Sequence, residues 1–225
     1  MRYFPLYACV EGKQSVVVGG GPVAERKVAD LLEAGALVRV VSPAITERLR
    51  QQAQAGEIEW LPAYYAPVHI EDAWLVFAAT NDRAVNAQIA LDANARRLFV
   101  NVVDGPEEGS FLVPSVVRRG DLCLSVSTGG ANPMLARKVA SELEMQYGDE
   151  YGLLVELLGQ MRAYTKVRTS VPSLRRAALA RLITQEAELR RLLLTGDEEG
   201  ARARAKAVIE DALVADSPEP GPDRF

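Results

Sequence analysis

Gln14-Ser15-Val16-Val17-Val18-Gly19-Gly20-Gly21-Pro22-Val23-Ala24 is the stretch that decides the fold. Gln14 to Val18 is a short, mostly β-branched run that stops at three glycines, the pattern of a buried strand entering a tight turn. From Val23 to Ala34 the apolar residues Val23, Val28, Leu31 and Leu32 recur at helical spacing, and Gly35 stands where helices commonly stop. Leu37 to Val41 is a second, Val-rich strand. Strand, helix and strand in under thirty residues require a right-handed crossover, and therefore a parallel sheet. The turn itself matches G-x-G-x-x-A. Gly19 permits the turn, Gly21 lets backbone approach a pyrophosphate, and Ala24 lets the helix lie close on the strand. Backbone N–H groups at such a helix start meet phosphates. The motif follows a strand and opens a helix, so it predicts dinucleotide binding over a purely structural turn.

The alternation continues outward. Ile45 to Ala55 reads as a helix, Ile58 to Leu61 as a strand, and Trp74 to Ala79 as the wholly apolar strand expected at a sheet centre. Ala84 to Ala95 is a helix and Leu98 to Val103 a strand. The reading is an α/β, Rossmann-type doubly wound parallel sheet over residues 1–113. Ser110 to Val117 and Leu122 to Ser127 then read as an antiparallel hairpin joined by Arg118-Arg119-Gly120-Asp121. Asn132-Pro133 opens a helix running to about Tyr147. This small α+β segment, 114–147, precedes a helical segment, 148–215, with leucines at helical spacing. Residues 216–225 contain three prolines and read as a disordered tail.

Composition sets the outer limits. With 225 residues, 48% hydrophobic and 25% charged, the chain is an ordinary globular protein with room for a substantial core. No apolar run approaches the ~20 residues of a membrane helix, and the N-terminus carries no signal-peptide core. Two cysteines and one histidine exclude a disulfide scaffold and a Cys- or His-rich metal site. A cytoplasmic protein without a resident metal is therefore expected. Charge is uneven: residues 160–206 hold 11 Lys and Arg against 5 Asp and Glu, while residues 1–159 hold 14 against 20. The basic segment is either a solvated helical face or a surface for an anionic partner. Nucleic acid is not expected, because the basic residues lack interleaved aromatics and the whole chain is acidic.

Candidate site residues gather at strand ends. The second strand closes on Val41-Ser42, with no acid to hold the ribose hydroxyls. Ser42 takes that place, and no arginine follows at once for a 2′-phosphate, although Arg48 is six residues on. NAD is preferred over NADP on this ground. Thr80-Asn81-Asp82 follows the apolar strand at the edge where open α/β sheets bind ligands, and equally suits a helix cap. Asn101-Val102-Val103-Asp104-Gly105 ends the next strand on the same edge, which makes Asp104 either a turn residue or a general base. Ser127-Thr128-Gly129-Gly130-Ala131-Asn132-Pro133 is a second hydroxyl- and glycine-rich entry to a helix, suited to an anionic group or to plain capping.

Taken together these segments resemble the precorrin-2 dehydrogenase family, which includes the N-terminal part of siroheme synthases. The resemblance is carried by Phe4-Pro5-Leu6-Tyr7, by Val17 to Lys27, by Ala78-Ala79-Thr80-Asn81-Asp82 and by Asn101-Val102-Val103-Asp104. Ser110-Phe111-Leu112-Val113-Pro114-Ser115 and Ser127 to Arg137 complete it, so it covers about residues 3–145. It implies NAD-dependent oxidation of precorrin-2 to sirohydrochlorin in siroheme biosynthesis, with Asp104 as the functional aspartate. It implies backbone contacts to the cofactor through Pro22, Val23, Pro43 and Ala44, which join Gly19, Gly21, Ser42, Thr80 and Asn81, already read from the strand ends, as the cofactor candidates; Asn101, Thr128 and Asn132 are the candidate substrate contacts. It implies a homodimer formed through the middle segment, with the helical segment covering the cleft. Some members also insert iron into sirohydrochlorin, and a bifunctional dehydrogenase and ferrochelatase is the alternative, with Asp104 or His69 as the base. A non-catalytic NAD-binding sensor is the reading from another class.

Overall fold

The computed structural model describes residues 3–215; the tail expected to be disordered at 216–225 lies outside them. The chain forms two compact units. The first runs to Val113 and takes in Thr128–Asn132, and the second comprises Pro114–Ser127 and Pro133 onward.

The first unit is built on β1 (Gln14–Val18), β2 (Leu37–Val41), β3 (Glu59–Leu61), β4 (Leu75–Ala78) and β5 (Phe99–Val102). All pair in parallel, in the order β3-β2-β1-β4-β5. Alternation along β1 explains why both faces are covered. Val17 joins Val40 and Phe77 on one face, under α1 (Pro22–Glu33). Val16 and Val18 join Val76, Ala78 and Val100 on the other, under α3 (Arg83–Ala95). Helix α1 presents Ala24, Val28 and Leu31 to its face, and α3 presents Ile89, Ala90 and Ala93. Full burial of each such valine or leucine contributes roughly 1.5–3 kcal/mol. This is the doubly wound sheet expected from the sequence.

Short polar side chains set the element ends. Helix α2 (Glu47–Gln54) begins two residues later than the apolar pattern suggests, because Thr46 caps it by accepting from the Leu49 N–H at 3.3 Å. Asp82 caps α3, its Oδ1 accepting from the Ala84 and Val85 N–H groups at 2.8 and 3.2 Å. A 3-10 turn at Pro67–Ile70 was not expected. Ser110 to Val113, expected as strand, is irregular. There the Ser110 hydroxyl accepts from the Val100 N–H at 2.8 Å, and Phe111 sits edge-on to Phe77 and Phe99. A side chain supplies the bond that a ladder partner otherwise supplies.

In the second unit, β6 (Ser115–Arg119) and β7 (Leu122–Val126) form the antiparallel hairpin. Its turn is Gly120-Asp121, two residues rather than four, with Gly120 at φ 54°. Arg119 crosses to the end of α4 (Pro133–Gln146), donating to the Glu144 and Tyr147 carbonyls at 3.2 and 3.0 Å. Four helices follow: α5 (Glu150–Arg168), α6 (Pro172–Ile183), α7 (Glu186–Leu194) and α8 (Glu198–Ala215). Their common core holds Leu154, Leu157, Met161, Leu182, Leu189 and Ile209, lined by the alanines of α8. Among the described residues no helix is long and apolar enough to cross a membrane.

Candidate functional site

The strand order reverses between β1 and β4, so the loops that leave these two strands diverge and open a crevice at their carboxyl ends. A cavity of about 760 Å³ occupies that edge. The glycine turn, the Ser42–Thr46 loop, Ala63 to Tyr65 and the Thr80–Asp82 turn form its walls, with Val85 and Gln88 of α3 at the side.

The three glycines have three different reasons. Gly19 has φ 125°, and a Cβ there would overlap the Ala79 carbonyl oxygen, so β4 and the turn are in backbone contact. A Cβ on Gly20 would overlap the Ala44 carbonyl oxygen and come within 2.8 Å of the Ser42 hydroxyl. Gly21 faces open space. The sequence motif left Gly20 as a variable position; it is held instead by the close approach of the loop after β2. At the start of α1, Gly21 brings no side-chain acceptor and Pro22 has no N–H. The Val23 and Ala24 N–H groups therefore lack a protein acceptor among the described residues. Two orphan donors at a helix start, beside an open glycine, fit the pyrophosphate of a dinucleotide.

Ser42 is buried at the cavity wall. Its hydroxyl donates to the Ala44 carbonyl at 2.7 Å, and its own carbonyl accepts from the Trp60 indole at 2.9 Å. With its proton already used, Ser42 offers the cavity lone pairs, which suit a ribose hydroxyl as donor. Arg48 is exposed and lies 3.9 Å from Glu25. Pro43 and Ala44 line the cavity beside Ser42, whereas Pro22 and Val23 stand just outside its lining.

Across the cavity, Thr80 is held by a residue that the sequence did not single out. Asn86 accepts from the Thr80 N–H at 3.2 Å and its hydroxyl at 2.7 Å, and donates to the Thr80 carbonyl at 3.0 Å. Thr80, Asn81 and Asp82 all line the cavity, so the turn both caps α3 and faces the ligand space. Tyr65, also unsuspected, donates to Asp92 at 2.9 Å, and Gln88 donates to the same carboxylate at 3.1 Å. Burial first, and the Asp92 hydrogen bond second, push the Tyr65 phenol well above its ordinary value, so it stays neutral. Ala63, Tyr64 and Tyr65 follow β3, the strand expected at Ile58 to Leu61 and found at Glu59–Leu61, and only the order β3-β2-β1 carries them to the cavity.

The other candidates stand apart from this cavity's lining. Asp104 follows β5, is exposed, and has φ 62°, in the left-handed region. Asn101 is buried, its amide donating to the Phe111 carbonyl at 3.1 Å. Thr128 closes its own turn, accepting from the Asn132 N–H and donating to the Asn132 carbonyl, both at 3.0 Å. His69 accepts from the Ala66 N–H through Nδ1 at 3.0 Å, a cap on the 3-10 turn. Among the described residues no three His, Cys, Asp or Glu side chains converge as a metal requires. In the basic segment, Arg168, Arg190 and Arg204 are paired with Glu210, Glu186 and Glu188.

Comparison with known proteins agrees with the geometry. A family model described as "Putative NAD(P)-binding" matches residues 6–115. Siroheme synthase 1 of Aeromonas salmonicida is 38% identical over 215 residues, covering 96% of this chain and 46% of that protein. The siroheme synthase of Nitrosococcus oceani is 35% identical over 219 residues, 97% of this chain and 46% of that one. The chain thus spans a little under half the length of these relatives. Among solved structures, the precorrin-2 dehydrogenase SirC superposes with a TM-score of 0.72 at 23% identity, covering 91% of this chain and 100% of that one. That likeness establishes the shared fold.

Proposed function

This chain belongs to the family of siroheme synthases and precorrin-2 dehydrogenases, and from that premise we propose that it oxidises precorrin-2 to sirohydrochlorin with NAD⁺. The observation that carries the proposal is the cavity at the β1/β4 reversal, with lone-pair-bearing Ser42 in its wall and the two orphan N–H donors of Val23 and Ala24 at the helix start beside it. Its residues fit an NAD pyrophosphate and ribose. Bound NAD⁺ supplies the hydride acceptor. The protein's own part is positioning and proton transfer. The Val23 and Ala24 N–H groups hold the pyrophosphate, and the Asn86-locked Thr80 turn walls the opposite side. Asp104, exposed at the end of β5 on the same sheet edge, takes the proton that leaves the tetrapyrrole as its hydride departs. Net loss is one hydride and one proton, which balances the oxidation. On the same reading Asn101, Thr128 and Asn132 contact the substrate. The protein works as a cytoplasmic homodimer, a reading supported by the exposed Met134, Leu135 and Met145 of α4 in the middle segment.

The test is anaerobic incubation of precorrin-2 with NAD⁺, following NADH absorbance. NADH is expected with the wild-type protein, and Asp104→Ala is expected to lower turnover about 100-fold or more. Folded protein that binds NAD⁺ and forms no NADH would leave only the sensor reading. Full turnover by Asp104→Ala would remove that residue from the mechanism.

A further inference from the structure

We infer that Arg83 is a positioning residue that holds Asp104 in its working conformation and joins the cofactor wall to the proton acceptor. The inference rests on the reading of Asp104 given above. Positive φ is uncommon for a residue with a Cβ, although Asp and Asn tolerate it best, and Arg97 shares it just after α3, so the conformation of Asp104 matters through the contacts that hold its loop. Asp104 is in that region at φ 62°, and it is not a glycine. Its only protein hydrogen bond among the described residues is made by its carbonyl, which accepts from Arg83 Nη1 at 3.2 Å.

The guanidinium does more than touch that carbonyl. Its Nη2 lies 2.7 Å from the Glu108 carboxylate and 3.3 Å from the Glu107 carboxylate. One fork thus holds three points of the loop that follows β5. Glu108 is turned inward, and its second carboxylate oxygen is buried without a partner. Such an arrangement is costly unless the paired oxygen is strongly held. Glu107 is kept below the usual carboxylate range, first by its own backbone hydrogen bond and then by Arg83. A planar guanidinium suits this task, because its donors diverge at fixed angles, whereas an ammonium presents a point charge.

The backbone of Arg83 is fixed from the other side. It is the first residue of α3 and directly follows Asp82, which caps the helix and lines the dinucleotide cavity. One side chain therefore spans from the turn that walls the cofactor to the loop that carries the proton acceptor. An exposed ion pair of this kind contributes little to stability. Its value lies in geometry, where a misplacement of about 1 Å costs on the order of 100-fold in rate.

The experiment compares the full-length wild type with Arg83→Ala, Arg83→Lys, Asp104→Ala and the Arg83→Ala/Asp104→Ala pair. Three quantities are read: amide hydrogen exchange at residues 104–109 without cofactor, NAD⁺ affinity by calorimetry, and anaerobic kcat and KM with precorrin-2. Arg83→Ala is expected to raise exchange in the loop about 10-fold and lower kcat about 10- to 100-fold, with NAD⁺ affinity and KM within about twofold. Arg83→Lys should recover part of the loss. The pair should be no slower than Asp104→Ala alone, since residues acting as a unit are non-additive. Wild-type exchange and turnover in Arg83→Ala would overturn the proposal, as would losses that multiply in the pair or a tenfold loss of NAD⁺ affinity. Full turnover by Asp104→Ala would fell the proton-acceptor reading and this one with it. Loss in Asp104→Ala beside full turnover in Arg83→Ala would fell the positioning role alone.

Discussion

The two units are held together by different means. In the first, main chain meets main chain: Gly19 lies against Ala79 and Gly20 against Ala44, and the strands are buried on both faces. In the second, helices meet through leucines and alanines, and charged groups tie their outer faces, as Glu210 does with Arg168 and Tyr164 at 2.6 to 2.7 Å. Where backbones touch, a single residue type is tolerated and the sequence is specific. Where side chains fill space between helices, many apolar combinations serve and the sequence is degenerate.

This contrast breaks most easily at Gly20. A methyl group there meets backbone, which cannot swing aside, so Gly20→Ala is expected to destabilise by about 4 kcal/mol, at the top of the range for single substitutions, and to abolish NAD⁺ binding. Denaturant midpoints and calorimetry check both effects. Leu182→Ala is the counterpart in the second unit. It leaves a cavity at a fully buried position and should cost about 3 kcal/mol, while NAD⁺ affinity stays as in the wild type. A loss of affinity in Leu182→Ala would mean that the contrast is too sharply drawn.

The pH response sharpens the comparison further. Hydrogen bonds from Arg168 first, and Tyr164 second, hold the Glu210 carboxyl down to about 2, against 4.5 ordinarily. Its folded value lies below its unfolded one, so the stabilisation is fully present at neutral pH and is lost as pH falls from about 4.5 toward 2. Melting curves of Glu210→Gln and wild type should differ at pH 7 and converge near pH 2. Asp72 in the first unit follows the same sign, since Arg39 grips it at 2.6 and 3.1 Å and holds its carboxyl below the usual range. The smallest effect is expected at Gly159, which is exposed in α5 with nothing near its missing side chain. Gly159→Ala should stabilise by about 0.5–1 kcal/mol, opposite in sign to Gly20→Ala, with thermal unfolding as the check.

Legibility in the sequence follows this division. The bounds of β1 and β2, the turn between strand and helix, and the presence of the hairpin were readable, because short Val-rich runs and glycine turns leave local marks. The strand expected at Ser110 to Val113 failed because one serine hydroxyl took the place of a ladder partner, and no local pattern announces that substitution. Asn86, Tyr65 and Gln88 were passed over for a related reason. They sit on ordinary helix or loop positions: only the sheet order carries Tyr65 and Gln88 to the cavity, and Asn86 is marked only by its bonds to the Thr80 turn.

By itself, the sequence determined the parallel α/β architecture, the glycine turn and the strand-end residues Ser42, Thr80 and Asp104, because steric and periodic constraints act between neighbours in the chain. Tertiary structure alone decided that Gly20 is obligatory, that Ser42 presents lone pairs, that Asn86 locks Thr80, and that Arg83 reaches Asp104 across twenty-one positions. The Gly20–Ala44 and Arg83–Asp104 contacts join groups more than twenty positions apart, whereas the Ser42–Ala44 and Thr80–Asn86 bonds are local and depend on exact turn geometry; both kinds are fixed by packing.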